Sequence, residues 1–201
     1  MKFVKNTKQK KNKKSRVIKS MLVLTGKTAS GKTLIQDILT TKYGFQRITT
    51  YTTRPPRVGE ISDITYHYIS EEDFLNKIKE CFFAEWEKYN TSHGVWYYGV
   101  SKESLKKTQK KSVIILTPSG IKELKKQNID MKIVYIYVDS FIQKERLLLR
   151  KDNENEAKRR FESDEKDFKN IENYVDKTIR NNFKSNIEFV INEIYKYVLG
   201  E

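Results

Sequence analysis

Residues Gly26-Lys27-Thr28-Ala29-Ser30-Gly31-Lys32-Thr33 spell G-x-x-x-x-G-K-[ST], and they stand in the context that this pattern requires. The apolar run Met21-Leu22-Val23-Leu24-Thr25 before them predicts a strand, and residues 32–42 after them predict a helix that Gly44 ends. Between a strand and a helix, such glycines let the backbone curl until successive N–H groups face one phosphate, and the helix N-terminus adds partial positive charge. Lys32 would reach the β- and γ-phosphates and the Thr33 hydroxyl would ligate Mg2+. Gly26, Lys27, Thr28, Ala29, Ser30, Gly31, Lys32 and Thr33 are therefore the candidates for holding ATP.

The rest of the chain alternates in the same sense. Residues 45–51 are β-like and lead into Thr52-Thr53-Arg54-Pro55-Pro56-Arg57-Val58-Gly59-Glu60, where two prolines forbid regular helix or central strand. Residues 66–69 read as a strand, and Ser70-Glu71-Glu72-Asp73 opens a short helix with Phe74 and Ile78 on its apolar stripe. Residues 82–86 and 95–98 predict two more strands. The short apolar runs 112–116 and 133–138 suit buried parallel strands, followed by helix starts at Thr117-Pro118 and Asp139-Ser140. A helix over 141–151, a charged helical region to about residue 180, a last strand at 187–191 and a closing helix at 194–199 complete the reading. The predicted class is α/β, doubly wound, with the ligand at the carboxyl ends of the strands.

A length of 201 residues suits one domain with its own core. The formal charge of +14 looks at first like a nucleic-acid-binding signature, but nine basic groups and no acid lie in residues 1–20, which leaves the rest of the chain a mild excess. Burial in that block cannot offset the entropy of ordering it, so 1–20 is expected as a disordered basic tail and 21–199 as the folded domain. The tail has no apolar core of a secretory signal; at most it suggests contact with nucleic acid or an anionic surface. No window is long enough to cross a membrane. Cys81 is the single cysteine, so an internal disulfide is excluded and a reducing cytoplasm is expected. Cys81 itself reads as a small buried hydrophobe, and His67 and His93 are too isolated for a metal site or a triad.

Arg54 and Arg57, on a proline-stiffened loop, suit a bidentate clamp on a monophosphate. This segment, with Tyr66-His67-Tyr68, resembles the T-T-R-x-x-R-x-G-E … Y-x-F signature of guanylate kinases. Phe83-Ala84-Glu85-Trp86 and Tyr97-Tyr98-Gly99 resemble that family's F-x-E and Y-Y-G segments, in the same order. The resemblance covers nearly all of 21–199. It implies a P-loop nucleoside monophosphate kinase fold: a parallel sheet flanked by helices, a small mixed β subdomain for the monophosphate at about 50–100, and a helical lid at about 150–165. It also implies a cytoplasmic enzyme, monomeric or homodimeric, that moves a phosphoryl group from ATP with Mg2+ to GMP or dGMP. Thr50, Arg54, Arg57, Tyr66 and Tyr98 would hold the monophosphate's phosphate, and Glu85 would accept from the guanine edge. Lys32, Arg54 and the lid cations Arg146, Arg150 and Arg160 would carry catalysis. Phosphoryl transfer needs positioned charge rather than a protein nucleophile.

The chain departs from that pattern around the base. Val100 stands where the family has a hydroxyl after Y-Y-G, and Ile115 and Thr117 stand where it has the two acids of D-x-D. Of the family's base-reading set only Glu85 is retained. Val100 and Thr117 remain positions of the monophosphate pocket, residues 90–96 make a longer connection than usual, and Trp86, Tyr89, Trp96 and Tyr97 cluster nearby in sequence. Relatives that phosphorylate ribose 1,5-bisphosphate carry Tyr-Tyr-Gly-Val and lack the strand-end acids, so a sugar phosphate, or a related nucleoside monophosphate with a base other than guanine, is the alternative acceptor. A non-catalytic module that binds phosphorylated partners is a third reading, which the intact Lys32 and Thr33 oppose.

Overall fold

The computed structural model describes residues 20–57, 59–91, 93–108, 111–149, 154–182 and 187–200. The expected tail up to residue 19, Arg150 and the start of the expected lid at 150–153 lie outside the described residues. In chain order the first half comprises β1 (Met21–Thr25), α1 (Lys32–Tyr43), β2 (Gln46–Arg47), β3 (Thr50–Thr52), β4 (Tyr66–Tyr68), α2 (Glu71–Lys79), β5 (Phe83–Thr91) and β6 (Gly94–Ser101). The second half comprises α3 (Lys102–Lys106), β7 (Ser112–Ile115), α4 (Pro118–Lys126), β8 (Met131–Tyr137), α5 (Ser140–Leu149), α6 (Glu154–Asp167), a 3-10 turn at Ile171–Asn173, β9 (Lys177–Arg180) and α7 (Ile187–Leu199).

Five strands form a sheet in the order β2-β7-β1-β8-β9, all parallel, and four form a mixed sheet in the order β4-β3-β6-β5. β1 is apolar throughout because both of its faces are covered. Its side chains alternate between two cores: Leu22 and Leu24 pack with Ile35, Leu39, Ile194 and Val198 of α1 and α7, while Met21 and Val23 pack with Ile121 and Leu124 of α4. A third core pins α2 to the mixed sheet, with Phe74 stacked on Phe83 at 4.3 Å and Tyr97 beside them. The expected helix starts are present: Ser70 accepts from Asp73 N–H, and Thr117 accepts from Gly120 N–H with Pro118 next in the chain.

Four expectations are corrected. Residues 187–191 are the first turns of α7 rather than a strand, because Val190, Ile191, Ile194 and Val198 are buried at helical spacing. The last strand is instead Lys177–Arg180, an edge strand with Ile179 buried, and the charged helical region ends at Asp167. The hairpin strands run to Thr91 and resume at Gly94, so the extra residues of that connection extend the strands. Cys81 is exposed, at φ +53, in the turn that leaves α2.

Candidate active site

The loop between β1 and α1 is held from outside. Gly31 has φ +92, and a Cβ there would lie 2.6 Å from the side-chain nitrogen of Asn181, so a larger residue is excluded twice over. Asn181 Nδ2 donates to Ser30 O at 2.9 Å, and Arg146 of α5 donates to Ala29 O at 3.2 Å and to Asn181 O at 2.8 Å. Lys32 folds back over the loop, its amine donating to Gly26 O at 2.6 Å, Lys27 O at 2.9 Å and Ser30 Oγ at 3.2 Å. From α6, Asp164 Oδ2 accepts the Thr28 N–H at 2.7 Å and Gln143 Nε2 at 2.8 Å, and Glu165 pairs with Lys27. Burial raises the Asp164 carboxyl above its ordinary range, against the pull of the Thr28 N–H and the Lys32 charge.

The proline loop is organised around Glu60. Arg54 is 4% exposed; its Nη2 donates to both Glu60 oxygens at 2.8 and 2.9 Å, its Nη1 to Pro55 O at 2.7 Å, and its guanidinium lies 5.4 Å over the Tyr66 ring. Glu60 also accepts the Arg57 N–H at 2.7 Å and the Tyr68 hydroxyl at 2.8 Å. Burial alone would raise the Glu60 carboxyl, but these hydrogen bonds and the Arg54 charge hold it below the ordinary value. Glu60→Ala strands a buried guanidinium and is expected to destabilise the protein by about 3–5 kcal/mol at pH 7. A lowered folded pKa stabilises above the ordinary value of 4.5, so the difference should shrink as pH falls below it. Urea unfolding of both proteins at several pH values tests this; a gap that stays constant into acid would reject it.

One cavity of about 240 Å³ runs past both groups. Gly26, Thr28 and Lys32 line it together with Thr50, Arg57, Tyr66 and Tyr98. Glu85, Glu87, Tyr89 and Trp96 line it with Leu116, Thr117 and Pro118, and α6 contributes Arg159, Arg160, Ser163, Asp164 and Asp167. The structure therefore brings together ten of the candidates named above: Gly26, Thr28, Lys32, Thr50, Arg57, Tyr66, Glu85, Tyr98, Thr117 and Arg160. The other described candidates sit elsewhere. Arg54 is locked on Glu60, Val100 is 0% exposed in the core beneath α4, and Arg146 braces the outside of the loop. Thr33 lines a smaller cavity with Gln36, Thr50 and Tyr66, while Lys27 pairs with Glu165, and Ala29, Ser30 and Gly31 form the loop's braced side. His67 pairs with Asp63 and His93 stacks on Trp96, both off the cavity wall.

Glu87, Arg159 and Asp164 line the cavity and were not anticipated. For Glu87 the signal was there: Glu85, Glu87, Tyr89 and Thr91 alternate along β5 and so share one face. Glu85 is 9% exposed; burial, with the charges of Glu87 and Glu123, pushes its carboxyl up to about 8. Glu87 Oε2 accepts the Thr117 hydroxyl at 2.7 Å and the Tyr89 hydroxyl at 2.6 Å. Burial, followed by the Glu87 charge, holds the Tyr89 phenol far above its ordinary pKa. On α6, buried Glu156 accepts from Arg159 at 2.9 Å twice and from Arg160 at 2.8 Å, and the Arg160 guanidinium lies 5.7 Å over Trp96. Of the expected aromatic cluster, Tyr89 and Trp96 reach the cavity, Tyr97 packs in the small core and Trp86 is 46% exposed.

A family model described as "Guanylate kinase" matches residues 18–197. The chain belongs to the guanylate kinase family. It is 45% identical over 91 residues to a guanylate kinase of Wolinella succinogenes, covering 43% of this chain but only 39% of that protein. It is 27% identical over 188 residues to a guanylate kinase of Rickettsia prowazekii, covering 90% of this chain and 91% of that one. The crystal structure of guanylate kinase from Anaplasma phagocytophilum superposes with a TM-score of 0.66 at 18% identity, over 90% of this chain and 85% of that one. The parallel sheet with its mixed second sheet is thus the guanylate kinase fold. No described helix of this guanylate kinase family member is long and apolar enough to cross a membrane.

Proposed function

We propose that the protein transfers the γ-phosphoryl group of ATP to a guanine nucleoside monophosphate, giving the diphosphate and ADP. The observation that carries this reading is the single cavity that joins Lys32, through Arg57, Tyr66 and Tyr98, to Glu85. Lys32 would exchange its loop carbonyls for β- and γ-phosphate oxygens. Arg57 and the two phenols would hold the acceptor phosphate, and Arg54, through Glu60, would fix the loop that presents Arg57. Arg159 and Arg160, ordered by Glu156 on α6, supply charge where the transferred group becomes most anionic. Mg2+ takes one or two protein ligands and otherwise phosphate oxygens and water, and Thr33 would be the ligand here.

The test is ADP formation from ATP and Mg2+ with GMP, dGMP, IMP, AMP, CMP, UMP, dTMP and ribose 1,5-bisphosphate, with Lys32→Ala protein as the blank. GMP and dGMP are expected to dominate. Turnover with the sugar phosphate alone, or with none of the acceptors, would overturn the reading.

A further inference from the structure

We infer that Glu87 is a second base-reading carboxylate, which together with Glu85 selects a purine that carries a 2-amino group. This rests on the proposal that a guanine nucleotide is the acceptor. Both glutamates lie on the cavity face of β5, two residues and hence about 7 Å apart along the strand. Neither makes an ion pair among the described residues, and the Glu87 charge adds to the burial that raises the Glu85 carboxyl. Two carboxyl groups on one cavity wall with no cation beside them among the described residues mark a candidate site for a donor.

The hydrogen bonds of Glu87 fix what it offers. The Thr117 and Tyr89 hydroxyls both donate to Oε2, so the carboxylate is oriented and, among the described residues, Oε1 keeps its acceptor capacity. Thr117, the N-cap of α4 just past β7, is not an acid, yet its hydroxyl ties a carboxylate to that place from β5. A guanine edge presents three N–H donors, one on N1 and two on the 2-amino group. One in-plane carboxylate takes the N1 hydrogen and one amino hydrogen, and the second amino hydrogen needs another acceptor. Hypoxanthine lacks the amino group. Adenine turns a ring-nitrogen lone pair toward the acids. Glu87 is therefore the residue that separates GMP from IMP, with Tyr89 and Thr117 as positioning residues.

The experiment compares kcat/KM for GMP and IMP in the wild type, Glu87→Gln and Tyr89→Phe, together with KM for ATP and the melting temperature of each protein. Glu87→Gln is expected to lower kcat/KM for GMP by about 10- to 100-fold, the scale of a hydrogen bond to a charged group, with IMP changed less than about threefold. KM for ATP should not move. Tyr89→Phe, which releases one of the two holds on the carboxylate, should shrink the GMP-to-IMP ratio severalfold and serves alone if Glu87→Gln does not fold. An unchanged ratio, or equal losses with both nucleotides, in a protein that turns over GMP overturns this inference only. A wild type inactive with GMP overturns the functional proposal and this inference together.

Discussion

Glu85→Gln is expected to lower kcat/KM for GMP by roughly 10^3-fold while KM for ATP stays within about threefold, because a buried reader that donates where it should accept faces the wrong edge of the base. The same residue sets a pH dependence. With its carboxyl pushed up to about 8 by burial and by Glu87 and Glu123, Glu85 carries a proton in the ligand-free protein at neutral pH. A guanine edge donates, so it binds the charged form and releases that proton. Affinity for GMP should rise with pH by about tenfold per unit up to about 8 and then level off. The window to use lies above the second ionisation of the phosphate monoester, at about pH 6. Stability runs the other way. A folded pKa raised from 4.5 makes a contribution that is fully present below 4.5 and is lost as pH rises through about 8, so ligand-free protein should melt lower at the alkaline end on this group's account. Initial rates with GMP from pH 6.5 to 9, and titrations in buffers of different ionisation enthalpy, read both effects. A flat profile in the wild type, or a slope that survives in Glu85→Gln, would remove Glu85 from the role.

Lys32→Ala should lower kcat by about 10^3-fold while leaving the affinity for GMP within about threefold, since the amine serves the transferring group and not the acceptor's base. The variant also strips the cap from Gly26 O and Lys27 O. Lys32→Met, which keeps most of the aliphatic stem, separates that effect from loss of charge. Equal kinetic losses with intact melting temperatures would assign the loss to the charge. A kcat near the wild-type value in either variant would end the assignment of Lys32 to catalysis.

Most of the scaffold could be read because its signals are local. A strand, a glycine loop and a helix follow each other without interruption at 21–43, and the caps at Ser70 and Thr117 are short-range chemistry. The failures occur where local pattern and tertiary context compete. Ile187-Glu188-Phe189-Val190-Ile191 is rich in β-formers, yet α7 begins there because its apolar residues continue at helical spacing to Val198. Lys177-Thr178-Ile179-Arg180 has too little apolar character to announce a strand, and pairs only because β8 offers it an edge. At the site, Arg57, Tyr66, Tyr98 and Glu85 line one cavity. Arg54 shares the motif of Arg57 but is turned to Glu60, a pairing that only the folded loop reveals. Glu87 was legible from strand alternation alone. Asp164 was not: an acid within a charged helix carries no mark of a partner 136 residues away.

That last contact bears on the order of events. The carboxylate of Asp164 already takes the Thr28 N–H, one of the loop amides that a triphosphate would use, and the α6 helix is moored there again by Glu165 on Lys27. In the proposed reaction, entry of ATP would exchange one anion for another, and its phosphates would displace a tethered competitor of far higher local concentration than any free carboxylate. The helix that carries Arg159 and Arg160 would then lose its hold on the Thr28 amide and keep the one on Lys27, so in the proposed reaction the donor and these cations would be linked through two loop contacts.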